Sequence, residues 1–166
     1  MSFLNALFGK KKKPIPHVFY LSTSTQAMVA AFNGILRSSI ENGEDNSEEK
    51  LVFVSFIVSQ CYLMALRKDV SHQKLTENTT EYIGLMVAAI QETYDTPATS
   101  ELAQKRFNEY LINWNAGLSS RSFSKLCMTF MINYGGSNVV MDAMELSAFL
   151  NSRIPSYLQL IKNDLA

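Results

Sequence analysis

The sequence predicts an all-α fold, a single-domain bundle of six or seven mostly antiparallel helices, and three observations carry that reading. Apolar residues recur at steps of three and four through most of the chain, which gathers them on one face of a helix. Four Pro and seven Gly serve 166 residues, whereas a sandwich or barrel needs a turn signal about every 8 to 12 residues. A content of 47% hydrophobic against 18% charged residues suffices for one buried core and hardly for two. Residues 1–16 read as a basic amphipathic segment with a proline connector, and residues 17–166 as the helical domain. No repeat of fixed period and no internal linker divides the domain further.

Past Pro14 and Pro16, the segment from Thr23 to Glu41 opens with Thr23 and Gln26 at capping-box spacing and carries Met28, Phe32, Ile35, Leu36 and Ile40 on one face. Asn42 to Asn46 cannot sustain that period, and Gly43 supplies the left-handed conformation that closes a helix. Asn46 and Glu49 repeat the capping spacing, while Glu48 and Glu49 sit where the helix dipole favours negative charge. The helix they launch runs to about Lys68. Its apolar stretch, Leu51 to Leu66, spans 16 residues and includes Ser55, Ser59 and Gln60, short of the roughly 20 needed to cross a bilayer. The β-branched start from Val52 to Val58 alternatively suits a strand, but Tyr62 to Leu66 extend the run past strand length, so the segment reads as a central buried helix.

Between Ser71 and Tyr94, Leu75, Tyr82, Ile83, Met86, Ile90 and Tyr94 keep a helical period, although Thr76 to Thr80 form helix weakly and leave one helix or two open. Thr96-Pro97 starts the next helix, a hydroxyl cap followed by proline where a missing N–H costs nothing. That helix runs to about Leu118, with Ala103, Phe107, Tyr110, Leu111, Trp114 and Leu118 inward and Glu101, Lys105 and Glu109 outward at steps of four. Ser119 or Ser120 caps a further helix with Phe123, Leu126, Cys127, Phe130, Met131 and Tyr134 on its core face, and Gly135-Gly136 ends it. Ser137 is expected to cap a helix through Leu150. Arg153-Ile154-Pro155 reads as a break before a last helix carrying Tyr157, Leu158, Ile161 and Leu165.

The chemistry is defined mainly by what is missing. Fifteen Lys+Arg balance fifteen Asp+Glu, which argues against a dedicated nucleic-acid binder. Cys61 and Cys127 lie in apolar runs with no CxxC spacing, and read as buried hydrophobes of a protein kept in a reducing compartment. In a secretory signal positive charge precedes the apolar run, whereas here Lys10 to Lys13 follow it, so a cytoplasmic location is expected. His17 and His72 lack any metal-ligand spacing, and no phosphate-cradling glycine loop or nucleophile elbow occurs. The expectation is therefore no catalytic set, no metal and no cofactor.

Four groups of residues remain as candidates. Phe3, Leu4, Leu7 and Phe8 make an apolar face followed by Lys10, Lys11, Lys12 and Lys13; on an anionic membrane each lysine contributes about 1 kcal/mol, roughly 4 kcal/mol for the tract. The same tract alternatively packs on the domain, stays solvated or meets nucleic-acid phosphates. This opening resembles the first residues of many otherwise unrelated bacterial proteins and points to no one family. Setting the four lysines aside leaves eleven cationic against fifteen acidic residues, and the acidic excess gathers at Glu41, Glu44, Asp45, Glu48 and Glu49. That loop suits a basic partner or the basic terminus itself. Tyr110 and Trp114, with Asp142 and Glu145, are the residues from which a ligand pocket between helices would be built. Met28, Met64, Met86, Met128, Met131, Met141 and Met144 either fill the core or line an adaptable groove for a partner. The functional expectation is a non-enzymatic helical protein-interaction domain, adaptor or regulatory, recruited to a membrane surface by its N-terminus. Its alternatives are an immunity or antitoxin-like protein neutralising a basic partner and a small helical enzyme or ligand-binding protein.

Overall fold

A computed structural model describes residues 26–66, 99–115 and 120–164, and every regular element among them is helical. The elements are α1 (residues 26–35), α2 (Arg37–Glu41), α3 (Ser47–Leu66), α4 (Thr99–Asn115), α5 (Ser120–Tyr134) and α6 (Val139–Asp164). Packed together they form the all-α bundle that the periodicity predicts. The candidate terminus, the segment from Ser71 to Tyr94, the Thr96-Pro97 start, His17, His72, Met86, Leu118 and Leu165 lie outside the described residues.

The bundle is organised around α3. Every residue from Glu49 to Cys61 is buried, because this stretch has no polar stripe to turn outward and a helix apolar all round must be enclosed. The expected strand alternative for Val52 to Val58 is thereby excluded. Each fully buried Val, Ile, Leu or Phe stabilises by about 1.5–3 kcal/mol. Ser59 Oγ donates to the Phe56 carbonyl of its own helix at 2.9 Å. Around α3 the other helices bury one stripe each: Met28, Phe32 and Leu36 on α1 and its end, Ala103, Phe107, Tyr110 and Trp114 on α4, Phe123, Leu126, Phe130 and Tyr134 on α5, and Ala143, Leu146, Leu150 and Ile154 on α6. Phe53 of α3 stacks on Phe130 at 4.2 Å and 11° and meets Tyr110 edge-on at 5.0 Å. Phe56 meets Phe107, Tyr110 and Trp114.

The contacts also give the helix directions. Glu109 meets Asn133 while Asn113 meets Thr129, and Asp45 meets Tyr134 while Phe53 meets Phe130, so α5 runs antiparallel to both α4 and α3. Phe32 meets Phe149 and Ser39 meets Asp142, which sets α1 and α2 antiparallel to α6. Glu49 with Arg106 and Phe56 with Trp114 make α3 and α4 run the same way; α6, antiparallel to α5 across the Ser124–Ser147 contact, also runs the same way as α3, on which it packs.

Three boundaries follow the sequence closely. Asn46 Oδ1 accepts the Glu49 amide at 3.1 Å, the expected cap of α3. Gly43 and Gly135 both take positive φ, 75° and 84°, at the ends of α2 and α5. Three local expectations are corrected. The helix expected over Thr23–Glu41 loosens at Leu36, whose ψ of 16° separates α1 from α2, although its amide still donates to Phe32 and its carbonyl accepts from Ile40. Ser137 does not cap the last helix, which starts at Val139 and leaves Asn138 in the cap position; the Ser137 amide instead donates to Glu44. Pro155 does not break the chain, for α6 runs unbroken through it to Asp164. Proline removes the N–H that would have met the Asn151 carbonyl, but Asn151 and Ser152 are exposed and water can reach that turn. Buried Ile154 and half-buried Tyr157 and Leu158 hold the helix against the core on both sides of the proline.

Candidate functional site

The acidic residues of the α2–α3 connection are tied into the fold. Glu49 is 2% exposed, and its carboxylate accepts Arg106 Nε at 2.8 Å and the Tyr110 hydroxyl at 2.6 Å. Arg106 Nη1 continues to Glu109 at 2.9 Å, and Glu109 accepts Asn133 Nδ2 at 3.1 Å. One charged chain therefore links α3, α4 and α5. Burial, then the bond to Glu49, pushes the Tyr110 phenol well above its ordinary value; Arg106, despite burial that opposes its charge, is held still more firmly protonated by the two glutamates. Asp45 accepts Lys50 Nζ at 2.8 Å, Ser47 Oγ at 2.7 Å and the Tyr134 hydroxyl at 2.8 Å. Burial raises its pKa, but these bonds and the Lys50 charge outweigh burial and hold it below 3.8. Glu44 accepts the Ser137 amide at 2.9 Å, and Glu41 pairs with Arg37 at 2.7 Å on the surface. Glu48 is half-buried in the first turn of α3.

Tyr110, Trp114, Asp142 and Glu145 fall into two separate contact groups. Tyr110 and Trp114 pack their rings on Phe56, and Trp114 also meets Phe123, so both belong to the aromatic core. Asp142 faces Ser39 Oγ at 3.5 Å between α6 and α2. Its carboxyl is raised by burial and then by Glu145, an effect that Ser39 only partly offsets. Glu145 itself is exposed. Cys61 and Cys127 are buried free thiols, each pushed up to about 12 by burial, so neither carries thiolate chemistry in the folded state. No cluster of His, Cys, Asp or Glu with metal-holding geometry occurs among the described residues, and no described helix is long and apolar enough to cross a membrane.

The methionines divide. Met28 and Met131 are core, Met64 and Met128 are half-buried, and Met141 and Met144 are 60% and 62% exposed. Beside them Val140 is 57% exposed, and Ile132 on α5 is 67% exposed. Ser124 and Ser147 lie 3.1 Å apart across the α5–α6 pair. In antiparallel helices with equal rise this register puts Met128 level with residue 143 and Ile132 level with residue 139. At 100° per residue, Met128 and Ile132 turn toward solvent on α5 while Val140, Met141 and Met144 do so on α6, so the five line one outward strip along the hairpin. A signal for this was present in the sequence. Ala143, Leu146, Leu150 and Ile154 define the core stripe of α6, and Met141 and Met144 fall off it.

Ile112 on α4 is exposed too, but a single exposed apolar residue is ordinary. Comparisons with protein-family models, with curated proteins and with solved structures gave no match for this chain.

Proposed function

We propose that the chain is a non-enzymatic protein-interaction domain, adaptor or regulatory, that docks another protein on the outward strip of α5 and α6. The observation that carries this reading is the exposure of Val140, Met141 and Met144 on a helix whose opposite stripe is core. Contiguous apolar surface of this kind marks contact sites, and methionine side chains adapt to the shape of a partner. These charges offer less to an incoming ligand, because Glu49, Arg106 and Glu109 pair with one another and Asp45 pairs with Lys50. For the same reason a basic partner captured by the acidic loop ranks behind the strip. The test is a photo-crosslinking amino acid placed at Met144 in the living cell, with the exposed Ser156 as control site. A discrete protein adduct at position 144 and none at 156 supports the reading; equal, diffuse labelling at both defeats it.

The N-terminal tract adds recruitment to the cytoplasmic face of an anionic membrane, on the strength of Phe3, Leu4, Leu7 and Phe8 beside four lysines. Full-length protein then co-sediments with vesicles containing phosphatidylserine, less so as salt rises, and loses that behaviour when residues 1–13 are deleted. Equal sedimentation after the deletion removes the membrane part and leaves the docking strip standing.

A further inference from the structure

The strip has charged rims of opposite sign. Lys125 is exposed on α5, on the side of the strip away from α6, and Glu145 is exposed on α6, on the side away from α5. The Ser124–Ser147 register puts residue 125 level with residue 146, so the two charges stand within about one residue rise, 1.5 Å, of the same height. Neither makes an ion pair with another described residue. Across the face the order is therefore cation, apolar strip, anion.

Such a face complements itself. When two identical faces meet about a two-fold axis lying in the interface parallel to the helices, every residue keeps its height while the rims exchange sides. Each α5 then lies over the α6 of the other copy, antiparallel to it. Ile132 comes within one residue rise of Val140 of the second copy and Met128 within one rise of Met144 of the second copy. Both Lys125 side chains meet Glu145 of the opposite copy, so two equivalent ion pairs flank one apolar seam. A two-fold axis across the helices would instead leave each rim charge facing its own kind, which selects the first arrangement.

We propose that the occupant of the strip is a second copy of this chain, in a homodimer whose core is an antiparallel four-helix arrangement of two α5–α6 hairpins. This rests on the docking strip being a working surface and goes further by naming what it docks. The experiment is sedimentation equilibrium of the full-length chain over a range of concentrations, with K125E, E145K and K125E/E145K, each checked by circular dichroism for an unchanged helical spectrum. Either single reversal places like charges at both rim contacts and raises the dimer Kd about tenfold or more. The double reversal restores the parent Kd, because each rim again meets its opposite, a recovery that only self-pairing produces. M144E, at the seam, gives monomer.

A parent chain that stays monomeric at every concentration overturns the proposal, as does a dimer indifferent to all four variants. The crosslink at position 144 separates the two failures: an adduct to a different protein leaves the docking strip in place and removes the second copy, whereas no adduct removes both.

Discussion

A methyl group added at Gly136 would lie 2.6 Å from Ser39 Oγ, whereas one added at Gly135 meets nothing within 4 Å. Neighbouring glycines at one helix end are therefore required for different reasons. Gly135 holds φ at 84°, which costs an ordinary residue about 1–2 kcal/mol; Gly136 lets α2 and the α5–α6 turn approach closely, and filling that space costs about 1–3 kcal/mol. Chemical denaturation of G135A and G136A, alone and with S39A, distinguishes the two. The S39A change should recover most of the loss in G136A and none of it in G135A. Equal recovery in both would contradict the assignment.

Two aspartates act in opposite directions. Asp45 is held below its ordinary value, so its contribution is present above pH 3.8 and is lost as pH falls through the folded value. Asp142 is held above 3.8, so the folded state gains relative stability from its proton at low pH and loses it as pH rises through the folded value. D45N should accordingly lower stability at neutral pH, and D142N should raise it, with the D142N difference vanishing in acid. Unfolding midpoints across pH 3 to 7 (a range set by the carboxylate pKa values) check both signs; two variants moving together would refute the environments described.

At the scale of elements, the boundaries that local chemistry controls are legible in the sequence and those that distant packing controls are not. Asn46 caps α3 because its amide oxygen needs only an amide three residues on. Glu49 occupies the matching place in a capping box, yet its carboxylate leaves the helix end for Arg106, 57 residues away. A pattern confined to one helix cannot anticipate that partner. The central burial of α3 follows from its composition alone, since no stripe of polar residues is available to face water. The acidic cluster Glu41 to Glu49 looks in one dimension like a free binding loop, but the fold brings Lys50, Tyr134, Arg106 and the Ser137 amide to it. Pro155 departs in the other direction, because tertiary contacts of Ile154, Tyr157 and Leu158 carry α6 through a residue that local rules treat as a stop. Restoring the missing N–H in P155A should stabilise the chain by about 1–2 kcal/mol, part of the roughly 3 kcal/mol that proline costs inside a helix. A lower denaturation midpoint would mean that the proline is needed where it stands.

For the whole molecule, the fold spends its buried charges on itself and leaves an apolar strip outside. Aromatic packing of Phe53, Phe56, Tyr110 and Phe130 joins three helices, and the Glu49–Arg106–Glu109–Asn133 chain ties the same three together in polar terms. Neither set involves Val140, Met141 or Met144. The central claim is that these three serve contact with another molecule and that the fold does not depend on them. Its most direct test is the guanidinium unfolding midpoint of the parent chain and of M141K/M144K at several protein concentrations. The parent midpoint should rise with protein concentration, as binding to the folded state requires. The variant midpoint should be independent of concentration and equal to that of the parent at high dilution, to within about 0.5 kcal/mol. A variant several kcal/mol less stable than the parent even at high dilution would contradict the claim, for the two methionines would then belong to the core.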